Sequence, residues 1–322
     1  MERYLQIIEE AIRSNAWKRE PIGLYEPIEY VLSLGGKRIR PCLTLMACNL
    51  FSDDLNDAVT AGLALEVFHN FTLLHDDVMD KADTRRGYPT VHKRWNENTA
   101  ILSGDAMLVE AYRILSGIKS HKFTEVLEVF TKTADEVCKG QQYDMEFETR
   151  DDVTLDEYME MIRLKTAVLL AASLKIGAIL GGATDTQAQL LYDYGINIGL
   201  GFQLRDDYLD SFGDPVIFGK KIGGDILCGK KTFLLLTAKE IAHNKTLDTL
   251  NYLLSLDDKK DNQKKIDGII EIYKELGVNN RCEEMCLTLN NKAMQCIKKL
   301  QLPDNKCISF IDFANKMVNR KK

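Results

Sequence analysis

The chain has 322 residues, of which 45% are hydrophobic and 28% charged, and its formal net charge is −6. This composition is typical of a globular protein with a sizeable core. The acidic balance disfavours nucleic acid as a partner, because binding to a phosphate backbone needs a basic face. The first ten residues contain three acids and no apolar run, so no signal peptide is expected. The eight cysteines form no CxxC pair and are expected to be reduced, which predicts a cytoplasmic protein.

Apolar residues recur every three or four positions along most of the chain, which predicts helices. One such series is Leu63, Val67, Phe71, Leu74 and Val78. Residues 155–180 and 188–212 follow the same rule, and no long alternating run indicates strands. The apolar stretch Thr166–Ala183 contains Lys175, so it predicts a buried helix and not a membrane span. Since no low-complexity linker divides the chain, the sequence predicts a single all-α domain over residues 1–322.

The segment LLHDDVMD carries three aspartates, Asp76, Asp77 and Asp80. Asp76 and Asp80 lie one helical turn apart and share a face. His69 falls on the same stripe at about 100° per residue. Like charges at this spacing destabilise an isolated helix by about 0.2–0.5 kcal/mol. We interpret the pair as ligands of a divalent cation, and the alternative is an ordinary solvated helix face.

The segment GFQLRDDYLD repeats this spacing with Asp206, Asp207 and Asp210, and Gln203 lies one turn earlier on the same face. Both segments are otherwise apolar, and buried carboxylates are costly unless they are paired or bound to metal. Two copies therefore favour a metal site over two solvated surfaces. Mg²⁺ bound by one or two carboxylates plus substrate phosphates is the usual arrangement.

Basic residues flank both aspartate clusters in the sequence. They are Lys37, Arg38 and Arg40 after the pair Gly35–Gly36, Arg85 and Arg86 beyond the first cluster, Lys165 on an apolar stretch, and Lys220, Lys221, Lys230 and Lys231 around Asp225. Each alone would be ordinary surface charge. Together they suit two diphosphates, one chelated by metal and one held directly by Arg and Lys. The sequence contains no P-loop, dinucleotide fingerprint or hydrolase triad.

These motifs, in this order, resemble the trans-isoprenyl diphosphate synthases, also called polyprenyl synthetases. The matching segments are GGKRIRP, LLHDDVMDKADTRRG, LSGDAML, GQQYD, Lys165-Thr166, GFQLRDDYLD and FGKKIGGDILCGKKT. The resemblance implies the isoprenoid synthase fold, with a central cavity in one helical domain. It also implies a prenyltransferase that condenses isopentenyl diphosphate with dimethylallyl, geranyl or farnesyl diphosphate. Three Mg²⁺ ions per active site and a homodimer are further expectations from the family.

The resemblance also implies roles for individual residues. Asp76 and Asp80 would bind two Mg²⁺ ions, and Asp206, with Asp210, would bind a third. The residues that would support these ligands from behind are Asp77, Asp207, Asp225, Gln141 and Asp144. The allylic diphosphate would contact Arg85, Lys165, Lys230 and either Lys220 or Lys221. Isopentenyl diphosphate would contact Lys37, Arg40, His69 and Arg86. Thr166 and Gln203 would stabilise the allylic carbocation left when the diphosphate departs.

Product length is expected to depend on Phe71 and Thr72, just before Asp76, and on Phe68 one turn further. In the family, large side chains here act as a floor below the growing chain. Phe71 beside the smaller Thr72 predicts a short product, farnesyl or geranylgeranyl diphosphate, with the latter preferred. The alternative is that Phe71 simply packs in the core.

Two other functions fit part of the pattern. Class I terpene cyclases share the first motif and the helical fold, but they usually carry an Asn/Ser/Glu-type second metal motif. The second motif of this chain, Asp206-Asp207-Tyr208-Leu209-Asp210, does not match it. A non-catalytic partner subunit of a synthase would be free to lose motif residues, yet both clusters are present. The basic end, Arg320-Lys321-Lys322, is expected either to help close the site or to form an unstructured tail.

Overall fold

The computed structural model describes residues 1–214, 222–256, 258–318 and 320. Within these residues nearly all regular structure is helical, which confirms the predicted all-α class. The one sheet in the described part of the chain is an antiparallel hairpin of β1 (Thr84–Arg85) and β2 (Tyr88–Pro89). Lys220 and Lys221, two of the predicted substrate-binding residues, lie outside the described residues.

In chain order, the first nine helices are α1 (Glu2–Ser14), α2 (Ile22–Ser33), α3 (Ile39–Asn49), α4 (Asn56–Met79), α5 (Val91–Arg94), α6 (Glu97–Leu115), α7 (Phe123–Thr149), α8 (Leu155–Ile162) and α9 (Val168–Gly181). A π-helical turn, Arg163–Ala167, joins α8 to α9. The others are α10 (Asp185–Phe212), α11 (Gly224–Leu227), α12 (Phe233–Ile241), α13 (Asn244–Leu254), α14 (Asn262–Glu275), α15 (Val278–Lys299) and α16 (Asp304–Val318), with a 3₁₀ turn at Lys259–Asp261.

The chain divides into two compact units, and the first comprises residues 1–131 and 172–192. Its core surrounds α4, which is buried along most of its length. Close backbone approaches tie α3 to its neighbours. A Cβ at Gly177 on α9 would lie 2.1 Å from the Thr44 carbonyl oxygen, so α9 packs directly on the α3 backbone. The aspartate cluster at the end of α4 is therefore carried by a rigid, well-packed helix.

The second unit comprises residues 132–171 and 193–322. Its core combines α8, α10, α12, α14 and α15, with Tyr158, Leu204 and Phe233 among the buried side chains. Helix α8 begins with a capping box, because Thr154 and Glu157 each accept a hydrogen bond from the other's backbone N–H. This cap fixes where the helix starts and hence which face Tyr158 presents to the core.

The stretch Leu155–Gly181 is long and apolar enough to cross a membrane by length and composition, but most of it is buried inside the protein. This burial supports the predicted core helix. All eight cysteines are free thiols, and Cys282 and Cys286 are buried, as expected for reduced core residues. The single domain over residues 1–322 stays a prediction.

Candidate active site

The first aspartate cluster lies at the end of α4, and its three carboxylates differ in how far they are exposed to solvent. Asp77 is 5% exposed, whereas Asp76 is partly exposed and Asp80 is exposed. Arg85 on β1 holds Asp77, because its Nε donates to both carboxylate oxygens at 2.8 Å and its Nη2 lies 2.6 Å from Oδ1. Two parallel contacts of this kind fix a guanidinium in position as well as in charge. The helix thus leaves its outer carboxylates accessible and uses the middle one to anchor Arg85.

The glycine pair before α3 lies against Arg86, whose Nη1 donates to the Gly35 carbonyl oxygen. Gly36 has a φ of +146°, and a Cβ there would lie 3.0 Å from Cζ of Arg86. Glycine is therefore favoured at this position by the backbone conformation, and a side chain there would also displace the Arg86 guanidinium. The glycine pair therefore holds Arg86, a residue predicted to bind diphosphate.

Of the three cations that follow, the structure assigns Arg38 to the core. Arg38 is buried and donates to Glu66 at 2.7 Å, to Glu9 at 2.9 Å and to the Leu32 carbonyl at 2.6 Å. The charge of Arg38 is neutralised by the carboxylates of Glu9 and Glu66. Lys37, by contrast, is exposed.

Arg40 and His69, both predicted to hold isopentenyl diphosphate, are in direct contact, with Arg40 Nη1 and His69 Nε2 3.0 Å apart. A guanidinium can only donate, so Nε2 is the acceptor and the imidazole is neutral. Burial holds the pKa of His69 well below 6.5, and the Arg40 charge adds to this effect. His69 therefore orients Arg40 without adding a charge of its own.

The predicted product floor is part of an aromatic row along α4. The Phe71 ring lies 5.5 Å from Phe68 and 4.8 Å from His75 between centroids, and Phe68 lies 5.4 Å from Phe130. Phe68 is fully buried in the core. Thr72 turns its hydroxyl to the helix backbone, donating to the His69 carbonyl at 2.8 Å. Phe71 is thus braced by rings on both sides.

In the second unit, Lys165 and Thr166 lie on the π-helical turn, a feature often found at functional sites. Lys165 Nζ lies 2.5 Å from Asp144 Oδ2 on α7. The backbones of α7 and α10 both lie in contact with this π-helical turn, because each helix has a glycine where it meets the turn. A Cβ at Gly140 on α7 would lie 2.3 Å from the Lys165 nitrogen, and one at Gly199 on α10 would lie 2.5 Å from Ala167 Cα.

In the second cluster, on α10, the middle carboxylate is again buried and the outer carboxylates are partly exposed. Asp207 is 2% exposed. It accepts hydrogen bonds from Gln203 Nε2 at 3.1 Å and from the Tyr158 hydroxyl. The Thr166 hydroxyl in turn donates to Gln203 Oε1 at 3.2 Å. Burial raises the pKa of Asp207 to about 7, and the Lys230 charge opposes that rise.

Sequence reasoning missed Tyr158. Its side chain carries no charge and belongs to none of the recognised motifs, so only the fold reveals its contact with Asp207. The one available signal was its position in a helix directly before the Lys165-Thr166 pair.

The outer aspartates of α10 have different partners. Asp206 is partly exposed and lies 2.5 Å from Arg320 Nη1. Asp210 Oδ2 accepts from the Asp225 backbone N–H at 3.0 Å and so holds the start of α11. Arg320 also covers the Phe202 ring, with Cζ 4.5 Å from the centroid. Arg320 thus contributes a cation to a predicted metal ligand, whereas Lys321 and Lys322 lie outside the described residues.

Three further predicted residues can be placed. Asp225 and Gln141 are half-buried and Lys230 is exposed. In the part of the chain that the structure describes, no three carboxylate, histidine or cysteine side chains converge into a ready-made metal cage. The accessible oxygens of Asp76, Asp80 and Asp206 instead fit Mg²⁺, which is usually held by one or two carboxylates together with waters and substrate phosphates.

Accessible carboxylates at the ends of buried helices, with anchored cations beside them, are the residue types that a helical enzyme would use to bind diphosphates through divalent metal. Comparison with known proteins identifies the family. Residues 22–273 match the polyprenyl synthetases, and the chain belongs to this family.

The similar proteins cover most of the chain. A geranylgeranyl diphosphate synthase of Methanosarcina mazei is 45% identical over 222 residues, 68% of each chain. A short chain isoprenyl diphosphate synthase of Methanothermobacter thermautotrophicus is 37% identical over 305 residues, 94% of this chain and 93% of the relative. A crystal structure of a geranylgeranyl pyrophosphate synthase superposes with a TM-score of 0.94 at 44% identity, covering 100% of this chain and 99% of the other.

The predicted family and prenyltransferase activity are thereby confirmed. The protein is a prenyltransferase of the trans short-chain prenyl diphosphate synthases. Prenyl synthases act on isopentenyl and allylic diphosphates and use divalent metal ions. The role of each site residue stays a prediction.

Proposed function

We propose that the protein makes geranylgeranyl diphosphate by adding isopentenyl diphosphate to allylic diphosphates, with three Mg²⁺ ions in the active site. The observation that carries the proposal is the shared design of the two clusters. In each, the middle carboxylate is buried and held by protein donors, while an outer carboxylate stays accessible. Such a division suits metal ions that bridge protein and substrate, because the ion needs accessible oxygens on a rigid support.

Asp76 and Asp80 would hold two of the ions, and Asp206 the third. Bound Mg²⁺ would neutralise the negative charge that develops on the departing diphosphate. Arg85, anchored by Asp77, and Lys165, anchored by Asp144, would supply fixed positive charges to the same group. Because these cations are already positioned, little ordering is needed when the substrate arrives.

Isopentenyl diphosphate would be held by Lys37, Arg40 and Arg86, with His69 orienting Arg40. Once the allylic C–O bond breaks, the double bond of isopentenyl diphosphate attacks the carbocation, and a proton passes to the released diphosphate. The oxygens of Thr166 and Gln203 are the candidates for stabilising the cation. Water must be excluded during this step, because it would capture the cation as an alcohol.

The choice of geranylgeranyl over farnesyl diphosphate rests on two observations. A relative that is 45% identical and a solved structure that covers the whole chain carry the geranylgeranyl name. Phe71 is the large side chain expected to stop the product, and rings on both sides prevent it from swinging away. Farnesyl diphosphate is the second candidate, since the same floor would suit it if the cavity above is shorter.

We also propose a cytoplasmic homodimer that uses α6 as its interface. Leu102 and Val109 are 60% and 68% exposed on this helix, two turns apart on one face, and Ile101 lies beside them. Apolar side chains grouped in this way indicate an interaction surface. Sedimentation of the wild type and of Leu102→Lys tests the interface, and an unchanged dimer in the variant would place it elsewhere.

The central experiment is a chain-length assay. Purified protein is incubated with Mg²⁺, isopentenyl diphosphate and, separately, dimethylallyl, geranyl or farnesyl diphosphate. A twenty-carbon prenyl diphosphate that disappears on chelation supports the proposal. Hydrocarbon products from geranyl or farnesyl diphosphate would indicate a terpene cyclase, and no product at all would indicate a non-catalytic partner subunit.

Isosteric variants test the metal ligands. Asp76→Asn and Asp206→Asn should each lower kcat by about 10²-fold or more, because charge stabilisation of this kind is among the largest catalytic terms. Asp248→Asn on α13 is the matched control, since this exposed aspartate lies outside the proposed site. Near-normal kcat in either site variant would remove that aspartate from the proposal.

A further inference from the structure

We propose that Tyr158 is a positioning residue for prenyl transfer: through Asp207, it fixes the orientation of the Gln203 amide beside Thr166. The inference rests on the proposed function and deepens it. It gives Asp207 a different role from that of supporting metal, because the carboxylate becomes the link between a buried tyrosine and an amide that is proposed to stabilise the carbocation.

The contacts form a continuous chain across three elements. Tyr158 on α8 is 1% exposed, and its hydroxyl donates to Asp207 Oδ2 on α10. The other oxygen of Asp207, Oδ1, accepts from Gln203 Nε2 at 3.1 Å. Both oxygens of a buried carboxylate are therefore directed at protein donors. A carboxylate held at both oxygens cannot rotate without breaking one of the two bonds.

This arrangement selects one of two amide orientations for Gln203. With its NH₂ group given to Asp207, Gln203 offers Oε1 to the Thr166 hydroxyl at 3.2 Å. A turned amide would bring Oε1 against the Asp207 oxygen, and two acceptors in contact leave buried groups without hydrogen bonds. The position of the Asp207 carboxylate thus decides which end of the amide faces Thr166.

The selected orientation is the one that favours a cation. An amide oxygen is the negative end of a dipole, and an oxygen held in place before the reaction stabilises developing positive charge without reorganisation. The turned amide would present its positive NH₂ end instead. Tyr158 therefore contributes by keeping Asp207, and through it Gln203, in the productive arrangement.

The chain contains a matched control for loss of a buried tyrosine hydroxyl. Tyr194 is fully buried in the same unit, and its hydroxyl donates to the Phe310 carbonyl oxygen at 2.8 Å. Tyr194→Phe and Tyr158→Phe remove the same atom from comparable surroundings. Only Tyr158 is connected to Asp207 and Gln203.

The test is a double-mutant cycle with Tyr158→Phe and Gln203→Leu, in which kcat, both KM values and the half-activating Mg²⁺ concentration are measured. Tyr158→Phe should lower kcat by about tenfold with KM changed less than about twofold, the pattern of an interaction made in the transition state. On the Gln203→Leu background, Tyr158→Phe should change kcat by less than about twofold, since residues acting through one another are non-additive. Tyr194→Phe should leave kcat unchanged on both backgrounds.

A second readout follows the carbocation itself. Water that adds to the allylic cation gives an allylic alcohol and a proton, so the ratio of alcohol to prenyl diphosphate measures how well the cation is protected. That ratio should rise in Tyr158→Phe and stay at the wild-type value in Tyr194→Phe. A general loosening of the core would move both variants together.

Each other outcome overturns the inference. Equal losses of kcat on both backgrounds would show that the hydroxyl acts independently of Gln203. A raised Mg²⁺ requirement with unchanged alcohol formation would assign Asp207 to the metal. If Tyr158→Phe does not fold, Asp207→Asn replaces it, and a normal kcat in that variant would refute the link. Wild-type protein that forms no prenyl diphosphate would refute the proposed function instead, so the two failures are distinguishable.

Discussion

Gly140→Ala should impair catalysis without touching a charged residue, because it separates α7 from the π-helical turn. The added Cβ would lie 2.3 Å from the Lys165 nitrogen and 2.7 Å from the Leu164 carbonyl carbon. Both neighbours are backbone atoms, so no side chain can move aside. The turn that carries Lys165 and Thr166 must shift relative to α7.

The size of the shift follows from the contact distances. Ordinary carbon contacts begin near about 3.5 Å, so relief of the 2.3 Å contact requires roughly one ångström of movement. Lys165 would move by a similar distance from Asp144, which now lies 2.5 Å away. A misplacement of about 1 Å can cost about 10²-fold in rate. Overpacking of this kind typically destabilises by about 1–3 kcal/mol, partly offset by the better helix propensity of alanine.

Two further glycines make the experiment discriminating. Gly199→Ala introduces a comparable clash from a second helix, α10, with its Cβ 2.5 Å from Ala167 Cα. Gly201→Ala is the control, because its Cβ would meet nothing closer than Leu289 Cβ at 3.8 Å. We expect kcat to fall by about 10²-fold in the first two variants. In Gly201→Ala kcat should be unchanged, with stability raised by about 0.5–1 kcal/mol.

Steady-state kinetics with thermal unfolding of each variant provides the measurement. Wild-type kcat in a folded Gly140→Ala protein would refute the reasoning, since it would show that the site tolerates a displaced π-helical turn. Equal losses in Gly140→Ala and Gly201→Ala would also refute it, because the effect would then come from any methyl group added to these helices.

Three further predictions follow. Phe71→Ala should lengthen the product by one or more isoprene units in the chain-length assay, because the braced ring is the proposed floor; an unchanged product would show that Phe71 only packs in the core. His69→Gln should flatten the pH dependence of stability, because His69 is protonated below about pH 6.5 in the unfolded chain but not in the folded chain. The free energy of unfolding of the wild type should therefore fall, relative to the variant, by up to about 1.36 kcal/mol per pH unit as the pH is lowered. Urea unfolding between pH 7.5 and 5.5 measures this, and parallel plots of unfolding free energy against pH for the two proteins would contradict it. Arg320→Ala should lower the Mg²⁺ concentration for half-activation, and the Mg²⁺ dissociation constant measured by calorimetry, by at most about fivefold. This factor corresponds to the free energy of a partly exposed ion pair, here between Arg320 and Asp206. A higher Mg²⁺ requirement in the variant would mean that Arg320 assists metal binding.

Helical periodicity was enough to predict the all-α class and the shared face of the outer aspartates in each cluster. In DDxxD the outer residues share a face and the middle one points elsewhere, and the structure buries both Asp77 and Asp207. The role of Phe71 was expected from the family resemblance, and periodicity could not show the rings that brace it. The helical class and the shared face of the outer aspartates are local features, so sequence spacing determines them.

Features that depend on contacts between distant segments could not be predicted. Three adjacent cations follow the glycine pair, and nothing local indicates that Arg38 is the one neutralised by Glu9 and Glu66. The π-helical turn packs against Gly140 and Gly199, which lie on two other helices. Tyr158 is an ordinary helical tyrosine until α10 places Asp207 against its hydroxyl.

The two clusters share their spacing but differ in how the middle charge is balanced, and this difference has consequences for the metal. Arg85 neutralises Asp77 in direct contact, so the charge of this middle carboxylate does not add to that of the outer carboxylates. Asp207 is held by the neutral donors Tyr158 and Gln203, and the positive charge that acts on it from a distance is that of Lys230. A cation at the neighbouring Asp206 would add to this effect. Arg320 occupies that position in the structure, and Mg²⁺ with its double charge would do so more strongly during catalysis.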